Sequence, residues 1–168
     1  VKARLEGGDL YADTVILADG VNSLLAKKLG LHRELDAEDA ILAVKEVIGL
    51  PEERILDRFG VSGNEGVAYE FFGLAAQGAI GSGFVYTNKD SLSVGVGATV
   101  KSLIEHKLNP NDVLQFFKNH SVVAPLVKDG DQREYSAHLI PDGGFNKMSQ
   151  LDAANVMVNS AINGTGGV

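Results

Sequence analysis

The run Asp13-Thr14-Val15-Ile16-Leu17-Ala18-Asp19-Gly20-Val21-Asn22-Ser23-Leu24-Leu25, continuing to Gly30, constrains the fold more than any other stretch. Thr14 to Ala18 is short and apolar and reads as a buried strand that ends at Asp19-Gly20. Asn22 or Ser23 is expected to cap a helix with Leu24, Leu25 and Leu29 on its apolar side, and Gly30 stops it. A strand that runs through a tight turn into a helix start aims backbone N–H groups at one point, which suits an anionic or polar ligand. Taken alone, the same pattern is an ordinary α/β corner.

The remaining composition narrows the function classes. A chain of 168 residues with net charge −7 and no basic stripe speaks against a nucleic-acid partner. Cysteine is absent, so disulfides, thiolate catalysis and cysteine-ligated iron–sulfur clusters are excluded within this chain, and a cytoplasmic setting is expected. Apolar runs fall well short of the ~20 residues a membrane span needs. The chain starts at Val1 and stops at Val168, each beside an expected strand, so both edges are expected to be cuts in a longer protein.

Along the chain, residues 1–5 and 10–11 should form a hairpin around Glu6-Gly7-Gly8-Asp9, leading into the 14–18 strand. Ala40 to Ile48 reads as a strand, and Pro51-Glu52-Glu53 opens a short helix closed by Gly60. Strands are expected at 67–72, 79–86 and 91–99, and a short helix ends at His106. Asn109-Pro110 opens another helix with Val113, Leu114, Phe116 and Phe117 as core candidates. A short helix at 122–127 containing Pro125, a strand at 133–140 stopped by Pro141-Asp142-Gly143-Gly144, and a strand at 155–158 complete the reading. The fold class is α+β, a mostly antiparallel or mixed sheet with packed helices. The expected division is 1–35, 36–145 and 146–168.

The strands around Asn88-Lys89-Asp90 allow a register to be counted. Pairing Thr87 with Ser91 sets Phe84 opposite Val94, Gly83 opposite Gly95 and Gly81 opposite Gly97. One face would then be aromatic and aliphatic, with Phe84, Tyr86, Val94 and Val96. The other would be nearly bare, with Gly81, Gly83, Ser93, Gly95 and Gly97. Glycine within a strand costs roughly 0.5–1 kcal/mol relative to alanine, so four together need a reason. Either a flat ligand such as a quinone ring or an isoalloxazine edge approaches the backbone, or a helix packs closely there.

Five segments resemble the FixC-type dehydrogenases, relatives of the electron-transfer flavoprotein:quinone oxidoreductases and of the geranylgeranyl reductases. They are Asp13 to Gly30; Val44 to Pro51 with the Glu-Glu-Arg helix; Gly83 to Val96; Phe117-Lys118-Asn119-His120; and Glu134 to Gly144. The resemblance implies an FAD-dependent oxidoreductase that takes electrons from an electron-transfer flavoprotein-like donor and passes them to a quinone or ferredoxin-like acceptor. It implies a substrate or quinone domain at 36–145, with an edge of the flavin domain at 1–35 and a return toward it at 146–168. Asp19, Gly20 and Asn22 fall on the flavin-binding fingerprint. The pair that holds a quinone head group by its backbone falls on Gly81 and Ser82, with Gly83 beside them. Peripheral membrane contact of the full enzyme is part of the same expectation.

Two features depart from the pattern. No Gly-x-Gly-x-x-Gly segment is present, and Val156-Met157-Val158 leads into Asn159 to Gly164 without an acid. This polypeptide alone is therefore expected to be inactive and to bind FAD weakly or not at all. An isoprenoid reductase and a binding module without flavin stay open as alternatives.

Other residues carry less. His32, His106, His120 and His138 lack metal-site spacing, so structural or solvated roles are expected and no metal is assigned. Glu52-Glu53 reads as helix N-terminal charge. Tyr86 and Tyr135 are candidate hydrogen-bond donors or amphipathic core residues. Gly143-Gly144 reads as a turn, which the resemblance sets near the flavin or a quinone entrance. No side chain is assigned as catalytic acid or base.

Overall fold

The computed structural model describes residues 2–142, 144, 152–153 and 156–158. The chain divides into two units, Val1–Asp39 with Ile140–Val168, and Ala40–Leu139.

In the first unit, β1 (Lys2–Leu5) and β2 (Gly8–Tyr11) form an antiparallel hairpin, pairing Lys2 with Tyr11 and Leu5 with Gly8. β3 (Val15–Leu17) leads to α1 (Leu24–Lys28). The small core is Leu17, Ala26 and Leu31, with Val15 packed against it. This corrects the expected apolar side of α1: Leu24, Leu25 and Leu29 are 65%, 53% and 56% exposed. A helix of five residues has room for one inward position, and Ala26 occupies it.

The second unit opens with β4 (Ala40–Gly49), followed by α2 (Glu52–Phe59), with Pro51 at the N-cap and Gly60 closing it at φ 65°. Next come β5 (Ala68–Phe71), a 3₁₀ turn (Leu74–Ala76), β6 (Gly81–Thr87) and β7 (Ser91–Thr99). α3 (Val100–Glu105), α4 (Pro110–Lys118), α5 (Ala124–Val127) and β8 (Asp131–Pro141) follow, β8 running on into the first unit. β9 (Asp152–Ala153) and β10 (Val156–Val158) belong to the first unit, where β10 pairs in parallel with β3 and antiparallel with β9.

The five-stranded sheet has the order β5-β6-β7-β4-β8, and β5–β6, β6–β7 and β7–β4 are antiparallel. The fold is α+β. Side chains alternate across a strand, so Val44, Glu46 and Ile48 share a face with Leu92, Val94, Val96, Ala98 and Val85. α4 lies on that face, with Val113, Leu114 and Phe117 in the core; Ile55 and Phe59 of α2 and Leu103 of α3 join them. Phe116, expected among the core residues, is 41% exposed because the adjacent Phe117 takes the inward position. Pro125 sits in the first turn of α5, where its missing N–H costs nothing. Asn109 caps α4, its Oδ1 accepting from Asn111 N–H at 2.9 Å.

Gly144 has φ 62°, as a turn requires. Gly143, Asn155 and the 159–164 segment lie outside the described residues.

Candidate functional site: the open face of the sheet and the Asp19 corner

The β6–β7 hairpin closes through a two-residue loop, Lys89-Asp90. Asn88 N–H donates to the Ser91 carbonyl at 2.8 Å, and the Asn88 amide reaches the Ser91 and Ser93 hydroxyls at 3.3 Å each. The register is therefore one residue away from that expected: Gly81 faces Ala98, Ser82 faces Gly97, Gly83 faces Val96, Phe84 faces Gly95 and Tyr86 faces Ser93. A one-residue slip exchanges faces on one strand relative to the other. The expectation of a single bare face with all four glycines is thus wrong. Gly81 and Gly83 lie on the helix-covered face, while Gly95 and Gly97 lie on the other with Ser82, Phe84 and Tyr86.

Three of the four glycines answer to packing inside the unit. A Cβ at Gly83 would stand 2.5 Å from the Phe117 ring, which α4 presses onto the sheet. At Gly95 it would meet the Phe84 ring and stand 2.7 Å from the Val44 carbonyl; the aromatic ring covers the bare backbone opposite it. At Gly81 it would be 2.8 Å from Ala98 Cα. Gly97 differs, because the nearest atom would be Ile41 Cγ2 at 3.2 Å.

The face bearing Ile41, Ala43, Lys45, Val47, Ser82, Phe84, Tyr86, Gly95, Gly97 and Glu70 contributes nothing to the unit's core. Phe84 and Tyr86 stack on it, centroids 4.8 Å apart and planes 20° from parallel. The Tyr86 hydroxyl donates to the Glu70 carboxylate. Burial, that hydrogen bond and the Glu70 charge push the phenol up to about 12. Beyond Phe84 the floor is small, Ser82, Gly97 and Ala43. Glu70 was not singled out in the sequence; the β5–β6 pairing sets it opposite Phe84 and diagonal to Tyr86, which only the sheet order reveals.

Gly81 has a further property. Ile80 accepts from Thr99 N–H at 3.0 Å, so Ile80 and, by alternation, Ser82, Phe84 and Tyr86 direct their backbone groups toward β7. Gly81, Gly83 and Val85 direct theirs toward β5. The β5 ladder ends with Phe71 opposite Gly83, which leaves Gly81 N–H and C=O beyond its last rung.

In the first unit, the Asp19 carboxylate accepts from Leu25 N–H at 2.7 Å and Ala26 N–H at 3.5 Å. Ser23 stands at the N-cap with φ 45° and does not cap; its hydroxyl donates to the Gly20 carbonyl at 2.7 Å. The helix start expected to be open to a ligand is thus already answered by Asp19. Gly20 has φ 68° with open space where a Cβ would be, and Asn22 is exposed. Asp19, Gly20 and Asn22 share one turn, and Gly81, Ser82 and Gly83 one strand.

The strongest buried polar cluster lies elsewhere. Glu46, 2% exposed, accepts from Gln115 at 3.3 Å and pairs with Lys118, both on α4. Tyr135 donates to Asn111 Oδ1 at 2.5 Å across the same cleft. His32 is buried, and burial together with Lys27 lowers its pKa. His106 Nδ1 lies 2.9 Å from the Ser102 carbonyl. Among the described residues no group of His, Cys, Asp or Glu could hold a metal ion, and no helix is long and apolar enough to cross a membrane.

Comparison with known proteins bears on this geometry. No protein-family model matches the chain. Protein FixC of Azotobacter vinelandii is 44% identical over 151 residues, covering 90% of this chain and 35% of that protein. This is a FixC-like chain. A probable electron transfer flavoprotein-quinone oxidoreductase of Escherichia coli, YdiS, is 42% identical over 92% of the chain and 36% of its own length. The chain thus spans about a third of the FixC proteins it matches. A geranylgeranyl bacteriochlorophyll reductase-like protein from Thermoplasma acidophilum shares the fold, with TM-score 0.64, 21% identity, and coverage of 89% of this chain and 34% of that one.

Proposed function

We propose that this FixC-like chain is the substrate-binding part of an FAD-dependent oxidoreductase that passes electrons from an electron-transfer flavoprotein-like donor to a quinone. The observation that carries the reading is Gly81, whose N–H and C=O lie past the last β5 rung, beside the small floor of Ser82 and Gly97. A carbonyl-bearing ring needs a donor of this kind at close approach, and a nearby side chain would hold it off. The similarity to YdiS supports a quinone as the acceptor. Phe84 offers a ring for a planar ligand to lie against, and Glu70 holds Tyr86, which in turn fixes Phe84.

Asp19, Gly20 and Asn22 fit the flavin-binding role in part. The Asp19 carboxylate completes the start of α1, so it shapes the corner and leaves no helix-end charge for a phosphate. The open Gly20 backbone and the exposed Asn22 amide suit hydroxyl groups of a cofactor chain. When bound, FAD supplies the electron-transfer chemistry, and the protein supplies position and electrostatics.

The test uses the complete protein carrying this chain, reduced and then mixed with a water-soluble quinone. Ser82→Leu fills the floor from the open face and should raise the quinone KM at least about tenfold with flavin content unchanged. Gly81→Leu is a poor probe, because its Cβ would stand 2.8 Å from Ala98 Cα. Absence of quinone reduction by the unsubstituted protein would overturn the reading.

A further inference from the structure

Lys45 sits half-buried in the middle of β4. Its neighbour Glu46 is turned to α4, so alternation sends the Lys45 side chain to the open face. There it makes no hydrogen bond or ion pair among the described residues. This is not for want of acids, since the chain carries 22 of them against 15 lysines and arginines. Other cations are answered: Lys118 by Glu46, Lys27 by Glu34 and Arg133 by Asp90.

The rung that holds Lys45 is printed across four strands. Lys45 pairs with Gly95, Gly95 with Phe84, and Phe84 with Glu70. Glu70 is three strand spacings from Lys45, about 14 Å, too far to pair with it. Its carboxylate already accepts from Tyr86. Beside Lys45, the space that a Gly95 side chain would fill is taken by the tip of the Phe84 ring. Tyr86 stacks on one face of that ring. The other face is left toward the next rung, Ser82, Gly97 and Ala43, all small.

A planar ring standing over these small residues would continue the Tyr86–Phe84 stack. Its edge toward β4 would come beside Lys45, two residues along from Ala43. Taking a charge part-way out of water without a partner is costly, and an ionised oxygen on the ring would answer it.

We propose that Lys45 is an anion-binding residue of the open face, and that the planar ligand lying against Phe84 carries an ionised oxygen held by its ammonium. The inference takes the ring from the quinone reading and goes beyond it by giving the ligand a charge. Lys45 is then a specificity-determining residue. Ring contact gives affinity that neutral and acidic ligands share, and the ammonium separates them.

The experiment is equilibrium dialysis of the complete, oxidised protein against a hydroxynaphthoquinone, ionised at neutral pH, and its uncharged methyl ether. Unsubstituted protein should bind the anion at least about tenfold more tightly, a preference that shrinks as salt rises. Lys45→Met keeps the apolar stem and removes the charge. It should abolish the preference, with methyl-ether affinity and flavin content within about twofold of the unsubstituted protein. Lys45→Arg should retain most of the preference. Equal affinities in unsubstituted protein would overturn the proposal without any variant, as expected of a lysine that only reaches solvent. A preference that survives Lys45→Met would place the anion elsewhere and overturn it too. Reduction of the methyl ether by the reduced protein, with no preference for the anion, overturns the role of Lys45 and leaves the quinone reading standing. A Lys45-dependent preference with neither compound reduced supports the anion site and overturns the quinone as its occupant.

Discussion

The Asp19 carboxylate accepts a hydrogen bond from Leu25 N–H, six residues ahead of it, at 2.7 Å. The chain must turn sharply for this, and Gly20 at φ 68° and Ser23 at φ 45° supply the turn. The side chain answers backbone donors that α1 cannot satisfy itself.

Asp19→Ala should therefore loosen α1. The expected cost is about 1 kcal/mol, typical of a lost helix cap. Amide exchange at Leu25 and Ala26 should accelerate, whereas Asp19→Asn, which keeps an acceptor oxygen, should exchange more slowly than Asp19→Ala. Unchanged exchange in Asp19→Ala would remove Asp19 from this role.

Tyr86 should stay protonated well past the ordinary range, with its pKa pushed up to about 12 from 10.0. The folded protein holds that proton more tightly than the unfolded chain. The associated stability is thus complete below pH 10 and is lost as pH rises toward 12. Ultraviolet titration of phenolate absorbance checks this. Glu70→Gln should bring the transition down, since the carboxylate raises it through both its hydrogen bond and its charge.

His32 gives a pH dependence at the other end. Burial and Lys27 lower its pKa from 6.5, so the unfolded chain binds the proton more readily than the folded one. Its contribution is intact above pH 6.5 and is lost as pH falls from there toward the folded value. Urea midpoints measured at pH 7.5 and pH 5 should differ in this direction, and His32→Leu should reduce the difference. An NMR titration of the ring would show the lowered value directly.

Two alanine substitutions separate the glycines by cause. Gly83→Ala brings a Cβ to 2.5 Å from the Phe117 ring and should destabilise by roughly 1–3 kcal/mol. Gly97→Ala meets Ile41 Cγ2 at 3.2 Å and should cost less. Urea unfolding of both variants, with similar slopes, decides the order.

Much of the fold was legible from local chemistry. The bounds of β7, the Pro51 and Gly60 ends of α2 and the Asn109 cap of α4 all follow from residue types at fixed offsets. The hairpin register was not. A three-residue loop over Asn88-Lys89-Asp90 and the two-residue Lys89-Asp90 loop suit the same residues, and one hydrogen bond, Asn88 N–H to Ser91, separates them. Both registers match small residues across the strands, so composition could not choose. Glu46 was hidden for a different reason: a lone carboxylate in an apolar strand gives no sign of the lysine that meets it 72 residues later. Of the candidate site, Gly81 and Ser82 were visible as a break in side-chain bulk, whereas the Glu70–Tyr86–Phe84 arrangement needed the sheet order to appear.

Gly83 and Gly95 carry no side chains, and two rings stand in for them, Phe117 on the helix side and Phe84 on the open face. Phe117 bears on the backbone from below, and any ligand on the open face would rest on the Phe84 ring from above. The height of Phe117 is set by α4, and α4 is moored to β4 by the Lys118–Glu46 pair. A helix that never touches the open face therefore supports, from the other side, the backbone beneath the Phe84 ring.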